Sequence, residues 1–336
     1  MRLADDTLRL MGDARKLYGD FDITRTWALT SPPDPTTDTD LETYLRSIGF
    51  NADQLYYTRR SWGNAAGDDI ARLSAQAAYQ DMTDSSAGEG DYRILDGYDR
   101  IPHGLAHGLD IRLNQQVESI AWDARGIRVR LTNGAVHDAD RVIVTVPLGV
   151  LQAGHIRFEP GLPDDKLAAI DRLIMGGAIK MIYRFDEPIL GSGIAALYSA
   201  VNPPMWWSPT HGHDTDAYAI TAFLTGDWAR EMRDLGEQSA LAHGLRTLAG
   251  QLGRAIPTPI ATRFIDWSAD PFALGGYSTV AVGGRDARSV LAQPIDRRVF
   301  FAGEATAPNP WGGTVHGAYA SGRRAAAEII SILEPE

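Results

Sequence analysis

The sequence predicts an α/β fold of two domains, and three observations carry that prediction. Two runs, Val142-Ile143-Val144-Thr145-Val146 and Arg298-Val299-Phe300-Phe301, are almost wholly apolar, as strands buried on both faces are. Alternating runs at 117–122 and 127–131 precede the first, with hairpin chemistry beside them in Asp123-Ala124-Arg125-Gly126 and Asn133-Gly134. The stretch 151–270 mixes helix-periodic and strand-periodic segments, the pattern of a separate domain built on an antiparallel sheet. A chain of 336 residues is long enough for about two domains.

In chain order, residues 1–82 read as mostly helical. Thr39-Asp40-Leu41-Glu42 has the form of a capping box ahead of Leu41, Tyr44, Leu45 and Ile48, and Ser31-Pro32-Pro33-Asp34-Pro35 is a break between helices. A second helix is predicted over 68–82, with Ile70, Leu73, Ala77 and Ala78 on one side. Residues 83–91 are small, polar and glycine-containing, which suits a linker. A short strand, Arg93-Ile94-Leu95, and a helix over 98–109 lead into the alternating runs. The middle of the chain predicts helices at 164–173, 228–235 and 237–252 and strands at 178–185, 218–224 and 260–267. After the strand at 298–301 come Gly303-Glu304, a Gly/Pro-rich loop and a long helix over 314–333. The chain divides into segments 1–90, 91–150, 151–270 and 271–336.

Composition excludes several function classes. An apolar fraction of 44% with 22% charged residues excludes a disordered chain. No window approaches the roughly 18 uninterrupted apolar residues of a membrane span. The acidic start, MRLADDTLRL, lacks the basic-then-apolar order of a secretory signal and points to the cytoplasm. The absence of cysteine excludes disulfides, thiol catalysis and thiolate metal sites. A formal charge of −11 argues against nucleic acid, whose phosphates require basic patches. Only three of the 32 basic residues are lysine (Lys16, Lys166 and Lys180), so each is mildly informative unless the gene's nucleotide composition produces the bias.

The segment 300–318 carries the strongest chemistry: a buried strand, Gly303-Glu304, a loop, and a helix start whose free N–H groups attract a negative group. Gly303 permits close backbone approach and Glu304 accepts hydrogen bonds from sugar-type hydroxyls; the same pattern also serves plain strand–loop–helix packing. In the run 178–185, Ile179, Met181, Tyr183 and Phe185 form one apolar face, leaving Lys180 with Ile182 and Arg184 on the other, as a solvated lysine or a functional one. Trp206-Trp207 reads as core or as the lip of a cavity. His103 and His107, and the run His211-Gly212-His213-Asp214, lack the three or four convergent ligands a metal needs, and no nucleophile elbow is present.

Phe300-Phe301-Ala302-Gly303-Glu304-Ala305-Thr306, with Gly313-Thr314-Val315-His316-Gly317-Ala318, resembles the C-terminal flavin-binding signature of the flavin-containing amine oxidases, which include monoamine, polyamine and spermine oxidases and lysine-specific histone demethylases. Three further segments resemble that family in the same order: Leu95-Asp96-Gly97-Tyr98-Asp99-Arg100-Ile101-Pro102, the run 139–151 around Val146-Pro147-Leu148-Gly149, and Asp266-Trp267-Ser268-Ala269-Asp270-Pro271 with Gly275-Gly276-Tyr277-Ser278. The similarity covers residues 91–330. It implies a two-domain flavin amine oxidase fold, in which 91–150 and 271–336 build the FAD-binding domain and 1–90 and 151–270 the substrate domain.

Residue by residue, the resemblance implies that Val117 meets the adenine and Glu304 faces the ribityl–pyrophosphate region with Gly303 giving clearance. Thr314 and Val315 then offer backbone N–H groups to the pyrimidine end, and Trp267 packs near the isoalloxazine. Tyr277 walls the substrate cavity, and Trp311 either joins that wall or packs its own loop. Lys180 holds a water near flavin N5; the nearby run Phe185-Asp186-Glu187-Pro188-Ile189-Leu190 lacks the Phe-Trp pair of many members. The implied reaction is hydride transfer from an amine to non-covalently held FAD, with O2 as oxidant and hydrogen peroxide as product. An L-amino acid is the alternative substrate, and a non-catalytic scaffold or regulatory subunit the alternative role.

The family's N-terminal dinucleotide-binding βαβ unit, with its Gly-x-Gly-x-x-Gly turn, has no counterpart in the sequence. Three explanations stand: a separate subunit carrying that unit in a hetero-oligomer, a truncated fragment, or a non-catalytic relic. The first is the leading expectation.

Overall fold

The computed structural model describes residues 36–83, 97–191, 194–199, 201–213 and 217–334, with Pro33, Ile94 and Thr215 besides. The helices expected before residue 33, the break at 31–35, the linker at 83–91 and the strand at 93–95 fall wholly or mostly outside these residues.

Helix α1 (Leu41–Ser47) is capped one residue later than the sequence predicts: the Asp40 carboxylate, not Thr39, accepts from the Thr43 amide at 2.8 Å. Helix α2 (Ala52–Thr58) carries a capping box the sequence reading missed, in which Asn51 and Gln54 cap each other's amides. A π turn (Arg59–Gly63) and a short helical turn (Asn64–Ala66) follow, ending at Gly67 with φ 98°. The helix expected over 68–82 exists only as α3 (Ala75–Thr83). Ile70 and Leu73 are buried as expected, but within a turn that the Asp68 and Asp69 carboxylates stabilise by accepting from Asp69 and Ala71 amides. Helix α4 (Arg100–Ala106) is shorter than the predicted 98–109, and none of its residues is buried.

Strands β1 (Val117–Asp123), β2 (Gly126–Leu131) and β3 (Val136–Ala139) form an antiparallel meander, and β4 (Val142–Val144) follows. After α5 (Leu148–Gln152), β5 (Arg157–Glu159) pairs parallel to β1. Then come α6 (Asp164–Asp171), β6 (Leu173–Gly176), β7 (Ala178–Phe185), β8 (Ala196–Tyr198), β9 (Met205–Trp207) and β10 (Tyr218–Thr225). Helices α7 (Gly226–Leu235) and α8 (Glu237–Leu252) precede β11 (Ala261–Asp266), β12 (Tyr277–Val280), α9 (Ala287–Ala292), β13 (Val299–Phe301) and α10 (Val315–Leu333).

The five-stranded antiparallel sheet runs in the order β11-β7-β10-β9-β8. Its alternation is the one the sequence predicts: Ile179, Met181, Tyr183 and Phe185 are all but inaccessible and pack with α7 and α8 into one core. Period two also divides the tryptophan pair. Trp206 is fully buried against Tyr183 at 5.9 Å, whereas Trp207 lies on the opposite face with Lys180. A second core gathers Ile120, Trp122, Val144, Leu148, Leu173 and Phe301 where the meander, β4 and β13 meet. Strands β4 and β13 pair in parallel, Val142 opposite Val299 and Val144 opposite Phe301. Lys166 is 3% exposed there, its ammonium donating to the carbonyls of Val290, Leu291 and Gln293 at 2.7–3.1 Å and lying 4.2 Å over the Phe301 ring. A buried cation thus closes the C-terminal end of α9 against β13. Among the described residues no helix is long and apolar enough to cross a membrane.

Candidate functional site

A cavity of about 340 Å³ opens where β4 and β13 end. Thr145–Leu148, following β4, and Gly303–Thr306, following β13, form one side; Met175, Trp267, Gly275 and Gly276 form the other, and Ala318 of α10 joins them. In open parallel sheets ligands bind outside the C-terminal strand ends, where connecting loops and helix starts converge.

Gly303 makes this corner. Its φ of 113° is a conformation that residues with a Cβ rarely adopt, and a Cβ placed there would meet nothing closer than the Thr145 carbonyl at 3.7 Å. Its amide donates to Ser321 Oγ of α10 at 2.9 Å, fixing the turn to the long helix. Thr314 caps α10, with Oγ1 accepting from the Gly317 amide at 3.0 Å and donating to the Trp311 carbonyl at 2.6 Å. Val315 opens the helix and is 46% exposed. The first-turn amides of such a helix include donors that its own carbonyls do not use.

Glu304 borders the cavity, and its carboxylate is engaged within the protein. It accepts from the Ser278 amide at 3.1 Å, Ser278 Oγ at 2.6 Å and the Gly313 amide at 2.7 Å, joining β12 to the turn before α10. Tyr277 stands with its ring between the backbones of Gly67 and Gly313 and donates its hydroxyl to the Ala65 carbonyl at 2.7 Å. Burial pushes that hydroxyl's pKa up, so Tyr277 offers a ring face rather than an acid or base. Trp267 is 41% exposed and borders the cavity, held by its amide on the Ala178 carbonyl at 3.1 Å.

Of the sequence-predicted residues, Gly303, Glu304 and Trp267 line this cavity, and Val117, Lys180, Tyr277, Trp311, Thr314 and Val315 do not. Val117 begins β1 opposite Leu131, and Trp311 makes an edge-to-face contact with His316 at 5.8 Å. Lys180 sits mid-strand in β7 between Phe223 of β10 and Ile265 of β11, on the sheet face turned from the helices. Its ammonium is 5.7 Å from the Trp207 ring centroid, and Trp207 packs edge-on to Phe223 at 5.8 Å. The cation and two aromatic rings form one half-buried face.

Two contributors were missed in the sequence. The first turn of α5 approaches the loop before β12 so closely that a Cβ on Gly149 would lie 2.8 Å from the Ala273 carbonyl; the Pro147-Leu148-Gly149 run was its visible signal. Arg288 is 5% exposed beneath Glu304, and nothing distinguishes it in sequence from the other arginines. Among the described residues no group of three or more His, Asp or Glu side chains is arranged to hold a metal ion.

Comparison with known proteins follows the same geometry. The family model for flavin-containing amine oxidoreductases matches residues 2–330. Lysine-specific histone demethylase 1 homolog 2 of Arabidopsis thaliana is 35% identical over 275 residues, covering 78% of this chain and 36% of the relative. Polyamine oxidase 4 of rice (Oryza sativa subsp. japonica) is 35% identical over 237 residues, covering 70% of this chain and 48% of that one. The chain spans 16–36% of the length of the first three demethylase relatives. Among solved structures, putrescine oxidase bound to putrescine superposes with a TM-score of 0.79 at 20% identity, covering 98% of this chain and 78% of that one. Cyclohexylamine oxidase from Brevibacterium oxydans IH-35A superposes with a TM-score of 0.77 at 18% identity, over the same 98% and 78%. The mixed α/β fold is that of these amine oxidases.

Proposed function

The chain belongs to the flavin-containing amine oxidoreductase family, whose cofactor is FAD, and on that premise we propose that it builds one side of a flavin cleft in which an amine is oxidised at the carbon beside its nitrogen. The cavity at the ends of β4 and β13, cornered by Gly303, is the observation that carries this reading. The residues present fit the flavin end of the cofactor: Gly303 leaves the backbone bare, and α10 begins beside the cavity, linked to it through the Gly313–Glu304 bond. FAD, when bound, accepts the hydride and passes the electrons to O2, giving hydrogen peroxide. Thr314 and Val315 lie where the α10 dipole favours a group that gains negative charge. Trp267 supplies an aromatic surface in the cavity, and the Tyr277 ring, packed against Gly313 beside it, a wall whose hydroxyl is anchored elsewhere.

Lys180, with Trp207 and Phe223, faces away from the helical core and is suited to hold a water and orient an amine. Peroxide release across a panel of amines, polyamines and L-amino acids tests the reading; release with an amine supports it, and a flavin-loaded protein that oxidises none overturns it. Lys180→Met is expected to lower kcat by about tenfold or more, the scale of one lost charge-assisted hydrogen bond to a positioned water, with flavin content unchanged. Unchanged turnover would remove Lys180 from the mechanism.

We infer that a separate subunit supplies the glycine-rich turn that clasps the dinucleotide. Two features support this. Within 97–116 every described residue is half-buried or exposed, with Leu105, Leu109, Ile111 and Leu113 each more than half exposed. Among the described residues β4 pairs only with β13, although its composition is that of a strand buried on both faces.

A further inference from the structure

We propose that Arg288 is a positioning residue for the flavin cleft, locking the Glu304 turn and the Gly312–Gly313 turn into one rigid rim; the proposal rests on the reading above that the cleft binds FAD. Arg288 projects from α9 and is 5% exposed. One terminal nitrogen donates to Ser278 Oγ at 2.8 Å and to the Glu304 carbonyl at 3.1 Å, and the other donates to the Ser278 carbonyl at 2.9 Å. The Glu304 carboxylate stands 3.7 Å away. The flat face of the guanidinium lies against the backbone of Gly312, where a Cβ would come within 2.2 Å of Arg288 Cζ. Glu304 then accepts from the Gly313 amide at 2.7 Å, and the next residue, Thr314, caps α10.

One buried fork therefore reinforces the junction of three segments that the Glu304 carboxylate also bridges: β12 through Ser278, the end of β13 through Glu304, and the entry to α10 through Gly312. Stability alone is a poor reason for this arrangement. Burial opposes the guanidinium's charge, and Nε has no hydrogen-bond partner. A buried ionic group is often replaceable by apolar residues without loss of stability. A planar cation does what an apolar side chain cannot: it fixes the distance between two turns at once. Those turns carry the cavity-lining Glu304 and the start of α10, where displacement of about 1 Å is enough to spoil a binding site.

The test uses Arg288→Met and Arg288→Lys in the native assembly, with two readouts. In flavin-free protein, hydrogen exchange at the Gly313 amide and the first turn of α10 is expected to speed up selectively by about tenfold or more, the value of one lost charge-assisted bond. FAD affinity, measured by titration well below the unfolding temperature, is expected to weaken by a similar factor in Arg288→Met. Arg288→Lys, which keeps the charge without the flat fork, should recover only part of it. Unchanged exchange at Gly313, or exchange that rises uniformly while FAD affinity holds, would overturn the proposal. A wild-type protein that binds no FAD would instead overturn the cleft reading, leaving the exchange result to decide the role of Arg288 in the rim.

Discussion

Gly317→Ala is expected to destabilise the protein by about 2–3 kcal/mol and to strip it of flavin, although alanine is the better helix former by about 1 kcal/mol. Gly317 lies in the first turn of α10, and a Cβ there would sit 2.0 Å from the Trp311 carbonyl oxygen and 3.0 Å from Ala307 Cβ. Backbone atoms on one side and a helix on the other leave little room for relaxation, so the Trp311–Gly313 turn must lift. Lifting it breaks the Gly313–Glu304 bond and the Thr314–Trp311 bond together. Gly322 is an internal control on the same helix, since a Cβ there would meet nothing within 4 Å. Gly322→Ala should be neutral or stabilising by up to about 1 kcal/mol. Chemical unfolding with a flavin absorbance reading separates the two; equal behaviour of both variants would contradict the close approach at Trp311.

Lys166→Met is expected to cost about 2–4 kcal/mol, because it leaves buried carbonyls at the end of α9 without their donor. Methionine fills the volume, so the loss reports hydrogen bonding rather than a cavity. The pH dependence is equally specific. Burial pushes the Lys166 ammonium down to about 8, against 10.5 for a free lysine. Between those values the unfolded chain holds the extra proton, so this group's contribution to stability rises with pH across the window. The penalty of charging Lys166 in the fold is fully present below the window and relieved as pH climbs through it. The gap in unfolding free energy between wild type and Lys166→Met should therefore widen from neutral pH toward pH 10.5. A constant gap would mean that burial leaves the ammonium's pKa at that of a free lysine.

The elements legible in the sequence were those whose pattern and local chemistry agree. Helix Glu237–Leu252 has the bounds its periodicity predicts, and the alternation from Ile179 to Phe185 divides core from open face. The runs 142–146 and 298–301 announced the parallel pair, and Gly303-Glu304 announced the corner between them. What escaped depends on distant partners. β3 is exposed along its length, so Val136-His137-Asp138-Ala139 has no apolar alternation to read. Ile70 and Leu73 repeat like a helix but are buried from a turn, because carboxylates at 68 and 69 take up the backbone amides. Arg288 is the clearest case: its importance comes from Ser278, Glu304 and Gly312, ten, sixteen and twenty-four residues away in the chain. Glu304 was visible beside Gly303 at the strand end, but its engagement with Ser278 and Gly313 was not, since it requires the fold.

The absorption spectrum of the purified native assembly tests the cleft most directly. The visible bands of bound oxidised flavin, bleached when an amine is added in the absence of oxygen, are the predicted result. A folded native assembly that carries no flavin and stays colourless after incubation with FAD would contradict it.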